Sequence, residues 1–516
     1  MSSLLALESW IGRSGNRRGL LFLACIILST LIINVPAMSQ TNTSIMPAQL
    51  TAPTTEARIS VVSLSPPRVR IEGSRGAATK AWSFRSAYAG IMSLGDRIEN
   101  LSLADAQGAD VPVRRLASGE YEASREALRF SYEMKLDPPA STDAAAHVSW
   151  LTESRGALMP GDLLPLPLAR ARVAFKLPAD WKIVSAENSF ASKNGDTKSD
   201  ATTTLELEDA ESSIVFAGPD VRERVERVSG MDVSVAVAGD WAFTDREVGD
   251  AVASIVREHA KTFGGVPHSS ALVVIAPPPR AATFGEWSAE TRGASVFYLS
   301  GRGPSKVSAL ARVTTPLAHE LFHLWIPNAL ALTGDYAWFY EGFTNYQALR
   351  ASQQLGLLNF DDYLAALARA YDNYEPLRER DTLSLVESST RRWSGGNALV
   401  YHKGMLVAAL YDLRLRMATH GKRSLEDVYR ELFRRAQAGV RDHDGNALAL
   451  DVLRDVASGQ DFAARLVAVA QKIDLGVELS PFGLRLESVG ARHQLRVSNS
   501  LTNSQRDLLR QIGYNR

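Results

Sequence analysis

The sequence predicts a multidomain fold in which an all-β, sandwich-like N-terminal domain precedes an α+β domain and a mainly helical C-terminal part. Three patterns predict this order. Apolar and polar residues alternate through residues 57–238, helical stretches with a few buried strands fill residues 239–440, and shorter helical stretches with a short tail occupy residues 441–516. A chain of 516 residues is long enough for several domains, each with its own core.

The β-rich region shows its period of two most clearly in LRFSYEMKL, where Leu128, Phe130 and Tyr132 alternate with Arg129 and Ser131. Successive side chains of a strand point to opposite faces, so one face is predicted to pack and the other to meet water. The segments ARVAFKL and DVSVAVAG repeat the alternation, and polar turn segments such as SKNGDTKSD separate them. Strands of this kind are typical of a β-sandwich.

The second region changes character after Gly239. The segment DREVGDAVASIVREHAKTFGG predicts an amphipathic helix that ends at its glycines. ALVVIA predicts a buried strand that ends at three prolines, and GASVFYLSG predicts another strand. Long helical patterns follow, so this region is predicted to be an α+β domain.

Charge and cysteine content exclude several kinds of site. Lys+Arg and Asp+Glu are both 57, so the formal net charge is zero and nucleic acid is not a predicted partner. Cys25 is the only cysteine. The rest of the chain therefore has no disulfide framework and no cysteine-ligated metal.

The N-terminus predicts export. Three arginines precede the apolar run Gly19–Ile33, and the small residues Ala37 and Ser39 follow it. This arrangement is typical of a signal peptide, or of a membrane anchor if it is retained, over residues 1–39, and a polar linker is predicted over residues 40–56. The protein is thus expected to be periplasmic or otherwise extracytoplasmic, with possible membrane association through the apolar segment.

The segment LAHELFHLW contains the candidate metal-binding and catalytic residues. His319 and His323 are four residues apart, so both face one side of a helix, a spacing that fits two ligands of one Zn²⁺. Glu320 lies beside the first histidine, where its carboxylate can reach a water molecule on the metal. The alternative is a buried histidine pair with ordinary hydrogen-bond partners.

The ends of this helix are predicted from capping residues. Thr315 is a plausible N-cap, and Pro316 suits the first helical position. Pro327 is expected to end the helix, because its ring clashes with a continued helix.

A third zinc ligand is predicted in WFYEGFTNY. Glu341 stands there among aromatic residues, where an unpaired buried carboxylate would be costly and a metal ligand would be stabilised. The alternative is a surface glutamate. Asn345, one helical turn later, is a candidate acceptor for the second ring N–H of a histidine ligand. We therefore predict one Zn²⁺ per chain.

These motifs together resemble a known family. HELFHLW, WFYEGFTNY and the later YHKGMLVAALYDLRLR are similar to the M61 peptidases, a glycyl aminopeptidase-like group of gluzincin type, and more distantly to the M1 aminopeptidases. The resemblance covers about residues 235–485. It implies a thermolysin-like zinc peptidase domain for residues 239–440, and too few residues follow FGLRLES for the PDZ domain that ends many M61 members.

The resemblance also implies a role for each site residue. Zinc would be held by His319, His323 and Glu341, Glu320 would be the general base, and Tyr401 of YHKG would donate to the oxyanion.

Substrate binding is implied less directly. In the segment GEWSAETRGASVFYLS, Glu290 is the best counterpart of the family's amine-binding glutamate and Glu286 the second. Glu290 read alone is equally compatible with a solvent-exposed loop acid beside Arg292. The strand GASVFYLS is the natural edge along which an extended peptide would pair.

The sequence therefore predicts a zinc-dependent peptidase, of aminopeptidase type, that hydrolyses bonds of a peptide or protein substrate by a metal-activated water. Two alternatives stay open at this point. One is a zinc endopeptidase of thermolysin type, or a hydrolase of another amide. The other is a non-catalytic peptide-binding or chaperone-like protein that retains the fold.

Overall fold

The structure, a computed structural model, describes residues 54–187, 202–330, 332–438 and 443–515. The predicted signal or anchor segment and residues 40–53 of the predicted linker lie outside these ranges, whereas the last residues of that linker already belong to the first strand. Within the described ranges, no helix combines the length and the apolar character needed to cross a membrane.

The N-terminal region is built on a large, mostly antiparallel sheet, in which only β1 and β9 pair in parallel. The strand order is β11-β9-β1-β2-β6-β3-β4, with β5 also paired to β6. Its strands are β1 Thr55–Leu64, β2 Pro67–Ser83, β3 Ile98–Ala104, β4 Asp110–Val111, β5 Val113–Ala117, β6 Glu120–Lys135, β9 Ala171–Lys176 and β11 Thr202–Leu207.

A second sheet of four short strands lies beneath it, in the order β10-β12-β8-β7. Because side chains alternate along a strand, its two faces contact different layers. One face, with Leu151 and Leu158, packs on the large sheet, and the other, with Trp150 and Ala157, packs on a third sheet. Its strands are β7 Trp150–Leu151, β8 Gly156–Leu158, β10 Lys182–Val184 and β12 Val215–Gly218. The predicted sheet-rich N-terminal region is confirmed.

The third sheet supports the candidate site, and its order is β13-β14-β15-β17-β16. The inner strands β14, β15 and β17 are parallel, and the outer strands are antiparallel to their neighbours. Its strands are β13 Arg222–Val228, β14 Met231–Val237, β15 Ser270–Ala276, β16 Trp287–Arg292 and β17 Ser295–Ser300.

This sheet begins before the predicted boundary between residues 238 and 239. The strands β13 and β14 lie on the N-terminal side of that boundary, yet β14 pairs with β15 from Asp232 to Val237. The alternation in DVSVAVAG identifies a strand but not the sheet that it joins. Val233 and Val235 face the helices of the α+β region, and Ala236 faces the four-stranded sheet, so β14 is covered on both sides.

The edge of the sheet is also different from the prediction. The segment GASVFYLS forms β17, which is an inner strand between β15 and β16. Every residue of β17 is buried, whereas the edge strand β16 is largely half-buried. The strand with the stronger apolar pattern is therefore the inner one, and β16 carries the free edge.

The helices cover the other face of this sheet and form most of the C-terminal part, as predicted. Thr244 caps the long helix of DREVGDAVASIVREHAKTF, and Gly264 ends it at a φ of 78°. A two-stranded hairpin of β18 Leu484–Val489 and β19 Arg492–Val497 lies near the C-terminal end. The helices are α1 Pro160–Leu163, α2 Asp245–Phe263, α3 Lys306–Glu320, α4 Thr344–Gln354, α5 Phe360–Tyr374, α6 Leu385–Thr390, α7 Asn397–Ala418, α8 Leu425–Gln437, α9 Gly445–Val456, α10 Ala464–Ala468, α11 Leu475–Leu479 and α12 Asn503–Gln511.

The helix α3 starts earlier than predicted. Its N-cap is Ser305 rather than Thr315, and Pro316 lies inside the helix. A proline inside a helix leaves the carbonyl four residues before it without its N–H donor. Here that carbonyl belongs to Arg312, and the Tyr298 hydroxyl of β17 donates to it at 2.9 Å. A partner from the sheet therefore allows the helix to continue through the proline.

Candidate active site

The two histidines of HELFH lie where α3 ends. Glu320 is the last residue of α3, and His323 lies in the 3-10 turn Leu321–Leu324 that continues it. The Nε2 atoms of His319 and His323 are 3.0 Å apart. The Glu341 Oε2 atom lies 3.2 Å from the first of them and 3.5 Å from the second.

These three atoms fit the donor set of a zinc ion. Ligands at about 2.0–2.2 Å from zinc in tetrahedral geometry are separated from each other by roughly 3.3 Å. The separations of 3.0, 3.2 and 3.5 Å agree with that value. Throughout the described ranges, this is the only group of three or more His, Cys, Asp or Glu side chains that could hold a metal ion.

A hydrogen bond of its imidazole ring orients one of the two histidines, His323. The Nδ1 atom of His323 lies 2.9 Å from the Ile326 carbonyl oxygen, to which it can only donate, so the Nε2 lone pair faces the other ligands. The Nδ1 atom of His319 is buried without a partner in the described structure. The predicted acceptor Asn345 does not take this role in the structure, because the Ile326 carbonyl, three residues after His323, pairs with His323, and Nδ1 of His319 has no partner among the described residues.

Glu341 lies in a π-helical turn, Trp338–Phe343, directly before α4. Its side chain is buried, and its second oxygen, Oε1, lies 2.7 Å from Nη2 of Arg392. Burial alone would raise the pKa of the Glu341 carboxyl, but Arg392 and His323 hold that pKa well below its usual range. Glu341 is therefore ionised, as a zinc ligand must be. The alternative of a surface glutamate is excluded.

Two glycines bring Glu341 and Tyr401 together. A Cβ atom added at Gly342 would lie 2.6 Å from the Cα atom of Gly404 in α7, and one added at Gly404 would lie 2.9 Å from the Trp338 carbonyl oxygen. Only glycine allows two backbones to approach this closely. Tyr401, three residues before Gly404, consequently packs with its ring centroid 6.3 Å from that of His319.

Replacing Gly404 with alanine is expected to destabilise the protein. The added methyl group meets rigid backbone, so we expect the free energy of unfolding to fall by about 1–3 kcal/mol, as in other overpacked cores. Denaturant unfolding measures this change. Gly249→Ala in α2 is the control, because its added Cβ meets only the side chains of Arg224 and Glu226, the nearest atom at 3.4 Å. Equal stability of Gly404→Ala and the parent would contradict the close contact.

Glu320 is held by the edge strand. Its side chain is buried, and the Thr291 hydroxyl of β16 lies 2.8 Å from Oε2 of Glu320 and 3.0 Å from its carbonyl oxygen. The free edge of β16 therefore runs beside the carboxylate next to the histidine pair. No pattern in the sequence points to Thr291, since this contact depends on how α3 packs on the sheet.

Glu290, the residue before Thr291, lies in an ionic cluster with its side chain 13% exposed. Its Oε1 atom accepts from the Tyr88 hydroxyl at 2.7 Å and from Nε of Arg292 at 3.3 Å, and Oε2 contacts Nδ1 of His147. Burial would raise the pKa of Glu290, but His147 and Arg292 lower it to about 2. Glu290 is thus not an exposed loop acid, and the N-terminal region supplies two of its partners.

Glu286 is separated from this group. It lies before the other end of β16 and its carboxylate accepts from the backbone N–H of Thr283 at 2.5 Å, which closes a local turn. Four residues of extended strand lie between it and Thr291, so five residue steps separate the two by about 16 Å. The structure therefore favours Glu290 over Glu286 as a residue beside the histidine pair.

Tyr401 is positioned by Arg392, a residue that the sequence did not reveal. Nη2 of Arg392 donates to the Tyr401 hydroxyl at 2.9 Å. Burial raises the pKa of that hydroxyl well above its usual value, so it stays protonated and can donate a hydrogen bond. In the sequence, nothing distinguishes Arg392 from its neighbour Arg391.

Comparisons with known proteins identify a family and a fold that this chain resembles. Residues 312–407 match the family model described as M61 glycyl aminopeptidase, which confirms the resemblance predicted from the sequence. No curated protein matches the chain.

Solved structures share the fold. An aminopeptidase N family protein from Idiomarina loihiensis superposes with a TM-score of 0.69 at 16% identity, over 84% of this chain and 79% of its own. An M1 zinc metallopeptidase from Deinococcus radiodurans superposes with a TM-score of 0.55 at 15% identity, over 82% of this chain and 95% of its own. A mutant of that peptidase bound to Tyr-Ser-Ala substrate gives the same TM-score of 0.55.

Proposed function

We propose that this chain is a zinc-dependent peptidase, on the premise that its central region, residues 312–407, matches the M61 glycyl aminopeptidase model. One observation carries the proposal: His319, His323 and Glu341 direct three ligand atoms at one point, all within 4.8 Å of one another. The mixed sheet with the free edge of β16 beside α3 further supports a thermolysin-like arrangement of the catalytic unit.

Each residue around that point has a task in peptide hydrolysis. Zinc bound there would lower the pKa of a coordinated water and polarise the scissile carbonyl. Glu320 takes a proton from the attacking water and later passes it to the leaving amine, with its carboxylate oriented by Thr291. The Tyr401 hydroxyl donates to the developing oxyanion. One such donor typically lowers the activation barrier by about 3 kcal/mol.

The free edge of β16 supports binding of an extended peptide. An edge strand presents unpaired N–H and C=O groups to which a substrate backbone can add as a further strand. Since Thr291 of this strand contacts Glu320, a peptide paired with β16 would lie beside the general base.

Aminopeptidase action further requires a partner for the substrate's ammonium group. A carboxylate offers about four acceptor positions. Tyr88 and Arg292 occupy two on Oε1 of Glu290, and His147 occupies one on Oε2. One position on Oε2 is left for the ammonium group, so we propose that Glu290 binds it.

Replacement of Glu290 by glutamine is expected to weaken hydrolysis of free-amine peptides. We expect kcat/KM to fall by a factor that corresponds to about 2–3 kcal/mol of lost transition-state stabilisation, because the ammonium group loses a charged partner. Acetylated peptides, which have no ammonium group, should be hydrolysed by the variant and the parent at the same rate. An equal loss on both substrates would show a structural effect and remove Glu290 from amine binding.

The proposed function is tested by metal analysis and by a peptide-library digest with and without a chelator. We expect one zinc per chain, cleavage that stops with the chelator and returns with zinc, and products shortened from the free N-terminus. Cleavage of acetylated peptides at internal bonds would favour the thermolysin-type endopeptidase. Peptide binding without any turnover would favour the non-catalytic protein.

A further inference from the structure

We propose that Arg392 is a positioning residue that holds Glu341 as a single-oxygen zinc ligand and, with the same guanidinium nitrogen, directs the Tyr401 hydroxyl. The inference rests on the proposed zinc peptidase function and adds a residue that neither the sequence motifs nor the family match assigns to it.

The contacts of Arg392 converge on the two sides of the site. Its Nη2 atom lies 2.7 Å from Oε1 of Glu341 and 2.9 Å from the Tyr401 hydroxyl. Nη1 lies 3.3 Å from the Tyr340 hydroxyl, and Nε lies 3.3 Å from Oδ1 of Asn397. Every nitrogen of the planar guanidinium therefore has a partner, which fixes its plane as well as its position.

The surroundings of Arg392 also restrict it. Its side chain is 17% exposed, and its guanidinium carbon lies 4.8 Å from the ring centroid of Trp393 and 5.6 Å from that of Tyr401. A cation stacked between aromatic rings and bonded along its edges has little freedom to move. Arg392 is thus a rigid support and not a flexible surface arginine.

The first consequence concerns Glu341. Its Oε2 atom faces both histidines, while Oε1 is bonded to Arg392. An oxygen that accepts from Arg392 is turned away from the metal position, so the carboxylate offers one ligand atom. Without the guanidinium, the carboxylate can rotate and offer both oxygens, which would raise the coordination number.

The second consequence concerns Tyr401. A phenol oxygen that accepts a hydrogen bond from Arg392 must direct its own proton to a different acceptor. Its ring packs beside His319, so the proton can be directed toward the ligand cluster and a carbonyl bound there. Removal of Arg392 would leave the Tyr401 hydroxyl free to rotate. Its hydrogen bond to the oxyanion in the transition state would then be weakened, whereas substrate binding would be affected less.

The experiment compares Arg392→Met and Arg392→Lys with Arg391→Met, an exposed neighbour, in the full-length protein. Each protein is loaded with Co²⁺, whose visible absorption is stronger in four-coordinate than in five-coordinate sites. We expect Arg392→Met to lose a large part of this absorption, to bind zinc 10–100-fold more weakly, and to lose kcat with KM nearly unchanged. Arg392→Lys should recover part of the absorption and of kcat, because an ammonium group can reach one partner, and Arg391→Met should match the parent.

Two further measurements make the outcome decisive. Circular dichroism and thermal unfolding establish that each variant is folded, and Arg392→Lys serves if Arg392→Met is not. In a double-mutant cycle, Tyr401→Phe and Arg392→Met should lower kcat together by less than the product of their separate effects. Parent-like cobalt spectra and zinc affinity in folded Arg392 variants would overturn the proposal. A parent that binds neither metal would instead contradict the proposed function itself.

Discussion

Replacement of Glu320 by glutamine is expected to leave zinc bound and to remove nearly all turnover. The amide has the size of the carboxylate and can still accept from the Thr291 hydroxyl, which lies 2.8 Å from Oε2 of Glu320, so the fold should be kept. It cannot take a proton from the attacking water. Loss of a general base lowers kcat by about 10²–10⁴-fold, which steady-state rates on the best substrate of the library digest would measure.

Glu286→Gln is the matched control for this prediction. The same carboxylate-to-amide change is made at the far end of β16, where Glu286 accepts only from the backbone N–H of Thr283. Its zinc content and turnover should equal those of the parent. A Glu320→Gln variant with zinc bound and near-normal peptidase activity would exclude Glu320 from the proton transfers.

The parts of the site that the sequence predicted are those fixed by local spacing. His319 and His323 are brought together by the periodicity of one helix, and this relation holds even though α3 ends between them. The buried position of Glu341 follows from the aromatic residues around it. For Tyr401, composition alone favours a core residue, and only the order of residues in YHKG resembled a catalytic motif.

The parts that the sequence did not predict depend on contacts between distant segments. Arg392 and Thr291 reach the site because a loop before α7 and the edge of the sheet pack there, and neither relation has a local pattern. The early start of α3 has the same cause, since Tyr298 satisfies the carbonyl that Pro316 leaves free. The sequence did not predict that β17 is an inner strand, because apolar composition indicates that a strand is buried but not its place in the order of the sheet.

Replacement of His323 by alanine is expected to abolish stoichiometric zinc binding. The variant keeps only two of three ligands, and Glu341, which is ionised in a buried site, loses its 3.5 Å contact with His323. We expect the zinc affinity to fall by well over the roughly 100-fold that follows loss of an outer-shell partner. Competition with a chromogenic chelator and metal analysis would measure this loss.

His493→Ala is the control, because His493 pairs with Asp372 at 2.8 Å and belongs to no group of possible metal ligands in the described part of the chain. The control should keep one zinc per chain. Unchanged zinc content and affinity in His323→Ala would show that the metal lies elsewhere. The proposed roles of Glu320 and Tyr401, which both depend on zinc at this position, would then be contradicted as well.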